Sequence, residues 1–411
     1  MHTNKKILYI TYDGMTDPLG QSQVLPYLCG LAKEGYQFTI LSFEKKERYE
    51  KYQSVIKKIT EEAGILWEPM TFTTRPPILA KYYDWIRMKR KTISLYKKQQ
   101  YAMLHCRSYI AASLGVLLKQ RYGVKFLFDM RGFWADEKKD AGTWNQQYFI
   151  FRKIYQHYKK KEAQFVKEAD AIISLTHAGK AVMEQWPTYN KKVPLHVIPC
   201  CADMQHFSLT SIDAKAAGRK QLGLPAQSLV ISYLGSIGAW YMVDEMLQLC
   251  ALAQKKYPGA KLLFVTHSAP QLIRSRLSVF GIVENDVLIT EANRAEVPVY
   301  MKASDITLSF IKPVYSKLSS SPTKLGEVLA MGIPVITNSG VGDVADIIKK
   351  TNGGYVIDTF DTASLQMAVE QIPALLNLSP AGMREKAIEI YSLDKGIQLY
   401  ANCYRNIFST P

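Results

Sequence analysis

Short apolar runs rich in Val, Ile, Leu and Phe recur along the chain, separated by longer stretches whose apolar positions repeat at helical spacing. Strand-like runs fall at residues 7–11, 38–43, 103–106, 126–129 and 171–175, and again at 229–235, 261–266, 287–290, 306–310, 334–337 and 355–357. Strands alternating with helical patterns predict parallel sheets built from βαβ units. The expected fold class is therefore α/β, with two Rossmann-like, doubly wound parallel sheets whose ligands sit at the carboxyl ends of the strands, between the domains. The break is expected where Ile198-Pro199-Cys200-Cys201-Ala202-Asp203 leads into a polar, small-residue stretch to Gly218. The domains are drawn at residues 1–205 and 206–391, followed by a tail at 392–411 in which Leu393, Ile397, Tyr400, Tyr404, Ile407 and Phe408 lie near helical spacing.

The densest chemistry lies between Ser319 and Ile336. Ser321 suits a helix N-cap, Pro322 the first helical position and Gly332 the stop. A helix opened in this way aims unpaired backbone N–H groups outward, and Lys324 adds a full charge in the first turn, which together make a phosphate site. Glu327 follows one turn after Thr323 on the same face, so a phosphate at the helix start leaves a sugar hydroxyl within reach of its carboxylate. The run reads as a cradle for a nucleoside diphosphate.

This run resembles the retaining glycosyltransferases of family 4, which have the two-domain glycosyltransferase B fold. Their signature is a Glu, seven residues, a second Glu, and a Gly-x-Pro-Val-Ile strand. Glu327 matches the second Glu and Gly332-Ile333-Pro334-Val335-Ile336 the strand, while Ser319 stands at the first Glu. The resemblance implies that Glu327 binds the ribose, that the donor-sugar contact of the first Glu is missing, and that the last helix crosses back onto the first domain. It also implies donor-phosphate contacts at Gly20, Gln21 and Ser22, in the loop after the first strand. Pro26 falls just inside the helix that follows, so its first turn is expected to be distorted or to start late. Arg131 stands where the family commonly has a His, and an Arg there binds a phosphate or sugar oxygen because it cannot act as a base. Asp136 and Glu137 in the same loop are candidates for the acceptor hydroxyl. Ser236 and Tyr241 replace the basic pair that usually neutralises the diphosphate, which shifts that load to Lys324, Arg131, the helix N-terminus and Lys317.

Composition narrows the class. The chain has 411 residues and 47% hydrophobic content, enough for two cores, and no long apolar run. Its start enters a strand with no signal-like apolar segment, so a cytoplasmic location is expected. The six cysteines show no Cys-x-x-Cys spacing and are expected to be reduced. The net charge of +16 is concentrated. Residues 75–98 carry Arg75, Lys81, Arg87, Lys89, Arg90, Lys91, Lys97 and Lys98 against Asp84, interleaved with Tyr82, Tyr83, Trp85 and Tyr96, and a second cluster holds Arg152, Lys153, Lys159, Lys160 and Lys161. A basic, aromatic-bearing helix suits an anionic membrane surface, and a solvated helix face is the plainer alternative.

The expected function is sugar transfer with retention from a nucleotide sugar to a glycan or lipid-linked acceptor in cell-envelope or exopolysaccharide synthesis. No metal or other cofactor is expected, since Lys, Arg and the helix N-terminus neutralise the leaving diphosphate. Peripheral attachment at the inner face of the plasma membrane would follow. Two alternatives stay open at this level. One is a nucleotide-sugar epimerase on the same architecture, which needs more cleft histidines than the sequence places. The other is a basic nucleic-acid binder, for which no recognisable module is present.

Overall fold

The computed structural model describes residues 5–73 and 77–409, with backbone alone for residues 77–79. Arg75 of the basic stretch lies outside the described residues. The chain forms two compact units, residues 1–199 with 393–411, and residues 200–392.

The first unit is built on a seven-stranded parallel sheet in the order β3-β2-β1-β4-β5-β6-β7. Its strands are β1 (Lys6–Thr11), β2 (Gln37–Glu44), β3 (Leu66–Thr71), β4 (Met103–Arg107), β5 (Lys125–Asp129), β6 (Ala171–Ser174) and β7 (Leu195–Val197). The central strands are buried along nearly their whole length, as a sheet covered on both faces requires. Two strands were absent from the sequence expectation, and both are edges. β3 contains Pro69 and is mostly half-buried, and β7 is three residues long, so neither carries a continuous apolar run.

The second unit holds a six-stranded parallel sheet in the order β10-β9-β8-β11-β12-β13. Its strands are β8 (Val230–Leu234), β9 (Lys261–Val265), β10 (Val287–Thr290), β11 (Ile306–Ser309), β12 (Val335–Asn338) and β13 (Gly354–Ile357). In each sheet the strand order reverses once, between β1 and β4 and between β8 and β11, and the crevice at the carboxyl ends of such a pair is where ligands bind.

The units divide at Pro199, ahead of the expected break after Gln205. Residues 200–205 are held by the second unit. The Ala202 N–H donates to the Tyr391 carbonyl at 2.7 Å, and the Arg384 guanidinium takes the carbonyls of Met204 and Phe207, each at 2.7 Å. The terminal helix Leu393–Ser409 belongs to the first unit. A β-carbon on Gly30, in helix Leu25–Lys33, would lie 2.2 Å from the Ile397 side chain, so this helix and the terminal one meet at a position only glycine allows.

Candidate functional site

In the second unit, β8 ends at Leu234 and the chain turns at Gly235 with φ of +150°. A β-carbon there would lie 2.6 Å from Lys324 Nζ, so the ammonium closes directly on this backbone. Lys324 belongs to helix Thr323–Ala330, which starts behind Pro322 with no side-chain cap. No described residue accepts the N–H groups of Thr323 or Lys324. Open donors and an ammonium at one point form an anion site.

Ser321 does not cap this helix. Its hydroxyl accepts the Cys200 N–H at 3.2 Å, so Pro322 takes the N-cap position expected of Ser321. Gly332, with φ of +73°, ends the helix as expected. Ser319 is buried in the short 3-10 helix Tyr315–Ser319 and donates to the Ser316 carbonyl at 3.0 Å, which turns its hydroxyl onto the backbone.

Glu327, one turn into the helix, is 8% exposed, and its carboxylate makes no hydrogen bond to any described residue. Burial pushes it up to about 7, against the opposing pull of Arg294 and Lys324. A buried, unpartnered carboxylate is costly in an empty site and is stabilised by hydroxyl donors from a ligand.

The charge missing at Ser236 and Tyr241 arrives from another segment. Ser236 is exposed, and its carbonyl accepts the Tyr233 hydroxyl at 2.7 Å. Lys324 Nζ lies 5.6 Å from the Tyr241 ring centroid, and Lys317 Nζ lies 3.8 Å from that of Trp240. The aromatic pair is tied down where the Trp240 carbonyl accepts the Lys312 N–H at 2.9 Å. Lys317 is fixed through its own carbonyl, which accepts the Gly342 N–H at 2.9 Å. Trp240 and Arg294 had no part in the sequence expectation, and the signal for Trp240 was its place two residues after Gly238 in the loop following β8.

In the first unit the crevice between β1 and β4 is lined by charge. Arg107 ends β4 and is 4% exposed; its Nε donates to Asp13 at 3.3 Å, and its Nη1 has no hydrogen-bond partner. Asp129, at the end of β5, accepts the Tyr400 hydroxyl at 3.1 Å and faces His105 Nε2 at 3.3 Å. Arg131 Nη1 stands 3.8 Å from the other Asp129 oxygen. Burial alone would raise Asp129, yet Arg131, His105 and Arg107 outweigh it and hold the carboxyl below its usual range. Burial likewise lowers His105 and keeps it neutral near pH 7, with Nδ1 2.6 Å from the Tyr404 hydroxyl. Arg131 itself has φ of +58°, a conformation costly for a side chain with a β-carbon and characteristic of functional sites.

The structure corrects two expectations in this unit. Gly20, Gln21 and Ser22 lie inside a short helix, Pro18–Gln23, rather than in a loop. Pro26 lies in the first turn of helix Leu25–Lys33, which starts late, after Ser22, as expected, and a break at Val24 separates it from the short helix before it. Ser22 donates to the Pro18 carbonyl at 2.8 Å and Gln21 to the Thr16 carbonyl at 3.0 Å. Ahead of this helix Met15 and Thr16 donate to the fully buried Glu44 carboxylate at 2.8 Å and 3.0 Å, while the N–H groups of Leu19 and Gly20 in its first turn have no acceptor among the described residues. Asp136, expected at the acceptor, is buried, with one oxygen accepting from Tyr155 at 2.7 Å and the other from Lys159 at 2.9 Å. Lys159 also pairs with Glu162, which accepts the Tyr109 hydroxyl, so Asp136 belongs to an interior network. Glu137 is half-buried on helix Trp134–Asp140.

Two doubly wound parallel sheets, with an anion site at the switch point of the second, define the glycosyltransferase B class of α/β protein. The family described as Glycosyl transferases group 1 matches residues 214–389, and that described as Glycosyltransferase Family 4 matches residues 22–206. The chain belongs to these group 1 glycosyltransferases and is a transferase enzyme. A D-inositol 3-phosphate glycosyltransferase of Segniliparus rotundus is 21% identical over 334 residues, covering 75% of this chain and 71% of the relative. Among solved structures, sucrose-phosphate synthase from Thermosynechococcus elongatus superposes with a TM-score of 0.71 at 17% identity, over 99% of this chain and 100% of that one. Anabaena HepE in complex with UDP and glucose gives 0.71 at 14% identity, over 97% of this chain and 99% of that one.

Proposed function

We propose that the enzyme transfers a sugar, with retention of anomeric configuration, from a nucleoside diphosphate sugar to a hydroxyl of a glycan or lipid-linked acceptor. The observation that carries this reading is the uncapped start of helix Thr323–Ala330, where Lys324 meets Gly235 one turn before the unpartnered, buried Glu327. Lys324, Thr323 and the open N–H groups would take the diphosphate, and Glu327 the ribose hydroxyls. Lys317, on Trp240, adds a second charge against the leaving group. With cations and N–H donors stabilising the departing diphosphate, its own oxygen can accept the acceptor proton, and the reaction needs neither a metal nor a separate base. Arg131 and Arg107, at the carboxyl edge of the first sheet, suit an oxygen-rich or anionic group, the one as a contact to a phosphate or sugar oxygen and the other through its Nη1, which stands 4.0 Å from Asp129 and makes no hydrogen bond.

The relatives supply choices for testing. UDP and glucose are held by HepE, so UDP-sugars are the first donors to try, and the name of the Segniliparus relative makes a phosphorylated polyol a first acceptor. Transfer is favoured over epimerisation because His105, the histidine beside the charged crevice of the first sheet, is buried and engaged through both ring nitrogens and so is not placed for proton exchange. A role in envelope or exported-glycan synthesis fits a lipid-linked acceptor, with the basic helices turned to an anionic bilayer. On helix Pro77–Gln99, Arg87 is paired with Asp84 and Lys91 with Glu68, while Lys81, Lys89, Arg90, Lys97 and Lys98 have no carboxylate partner among the described residues. No helix among the described residues is long and apolar enough to cross a membrane.

The test is a thermal-shift series with nucleoside diphosphates and their sugars, on the wild type and Lys324→Ala. A shift confined to one base series and lost in the variant supports the reading, because a ligand bound to the folded state raises its melting temperature. No shift with any member overturns it.

A further inference from the structure

Three consecutive large apolar side chains, Tyr148, Phe149 and Ile150, stand 60%, 64% and 60% exposed at the start of helix Phe149–Glu168. A single exposed apolar residue is ordinary, but a contiguous run at a helix tip marks a surface meant to be covered. Directly behind it, Arg152 and Lys153 are exposed and have no carboxylate partner among the described residues, and Lys153 Nζ lies 5.3 Å from the Phe149 ring centroid. No Asp or Glu occurs between Asp140 and Glu162.

Topology sets the level of this tip. Helix Phe149–Glu168 returns the chain to the start of β6, and helix Pro77–Gln99 returns it to the start of β4, so both begin beyond the carboxyl edge of the first sheet. Tyr12, the residue after β1, has Asp84 of one helix as a hydrogen-bonding neighbour, and Tyr155 of the other donates to Asp136, in the helix that follows β5, at 2.7 Å, which ties both to that edge. There the second helix start exposes Tyr82 (64%) and Tyr83 (52%) beside Lys81. Its Trp85, by contrast, is turned inward onto the Ser113 hydroxyl at 3.1 Å.

An apolar tip within a collar of unpaired cations is complementary to an anionic lipid surface, where aromatic rings settle at the headgroup level and basic residues meet the phosphates. We propose that residues 148–150 are the segment that enters the interfacial layer of an anionic bilayer, with Arg152, Lys153 and the Tyr82–Tyr83 turn resting on the headgroups. This deepens the lipid-linked acceptor reading and rests on it, because it places the carboxyl edge of the first sheet at the height where such an acceptor emerges.

The test is cosedimentation of the full chain with vesicles of phosphatidylcholine alone and of phosphatidylcholine mixed with phosphatidylglycerol. The wild type is expected to partition onto the mixed vesicles. The double variant Phe149→Ser, Ile150→Ser should bind them at least about tenfold more weakly, since two apolar side chains lose their insertion. Both substitutions are at exposed positions, and an unchanged melting temperature checks that the fold is kept. Ile150→Trp adds a direct readout, with its fluorescence quenched by brominated lipid. Equal partition of wild type and double variant, or no binding to mixed vesicles, overturns the proposal. A concentration-dependent mass in light scattering that vanishes in the double variant would assign the tip to a second copy of the chain and overturn it as well. Failure of the donor reading shows separately, as an absent thermal shift with nucleoside diphosphates while lipid partition persists.

Discussion

Lys324 Nζ occupies the space beside Gly235 so closely that a β-carbon on the glycine would approach it to 2.6 Å. The two residues lie on different elements, the end of β8 and the first turn of the helix before β12, and their contact brings the ammonium to the helix's open N–H groups. Gly235→Ala should therefore weaken nucleoside diphosphate binding by about tenfold through displacement of Lys324, and cost about 1–3 kcal/mol of stability from its φ of +150°. Calorimetric titration beside a denaturant melt reads both effects. Unchanged affinity would remove the contact from the site.

Glu327 carries a pH dependence whose sign can be worked out. Its carboxyl is raised from 4.5 in the unfolded chain to about 7 in the folded one. The folded state thus holds a proton that the unfolded state releases, and unliganded stability should fall as pH rises between those values, then level off above the upper one. The stability is fully present below the unfolded value. Glu327→Gln should flatten this segment and raise the melting temperature of the empty enzyme at pH above about 7. The ionised carboxylate is the better hydroxyl acceptor, so donor affinity should climb through the same window in the wild type and stay flat in the variant. Superimposable pH profiles would contradict the assignment.

Asp136 separates a packing role from a catalytic one. Asp136→Ala leaves the Tyr155 hydroxyl without its acceptor and Lys159 with Glu162 alone, which should cost about 3–5 kcal/mol. Nucleoside diphosphate affinity of the folded protein should be unchanged. Loss of turnover at an unchanged melting temperature would return Asp136 to the reaction.

The terminal helix is fastened through buried polar contacts. Tyr404→Phe removes the hydroxyl 2.6 Å from His105 Nδ1 and leaves that nitrogen buried and unpaired. The expected loss is about 1–3 kcal/mol, read as a lower denaturant midpoint with unchanged slope. An unaltered midpoint would mean the helix is held by its apolar face alone.

Much of this architecture was legible along the chain, for a physical reason. Strands covered on both faces must be continuously apolar, so β1, β2, β4, β5, β6, β8, β9, β11 and β12 announce themselves, whereas β3 and β7, as edges, carry no such mark. The helix proposed as the cradle was legible too, because helix start, lysine, carboxylate and glycine stop fall within one short segment where local geometry is set by spacing. What neighbours far along the chain do to a residue was not. Ser321 looks like an N-cap until the Cys200 N–H takes its hydroxyl, and the loop after β1 looks open along its length until Glu44 takes the N–H groups of Met15 and Thr16. Asp136 looks like an acceptor contact until helix Phe149–Glu168 brings Lys159 and Tyr155 to it. The sequence by itself determined the sheet class, the helix proposed to bind the anion and the presence of Glu327 on it. Tertiary structure decided which polar groups remain free for a ligand, because a hydrogen-bonding group is used up by whichever partner the fold brings nearest, and that partner is not written beside it in the chain.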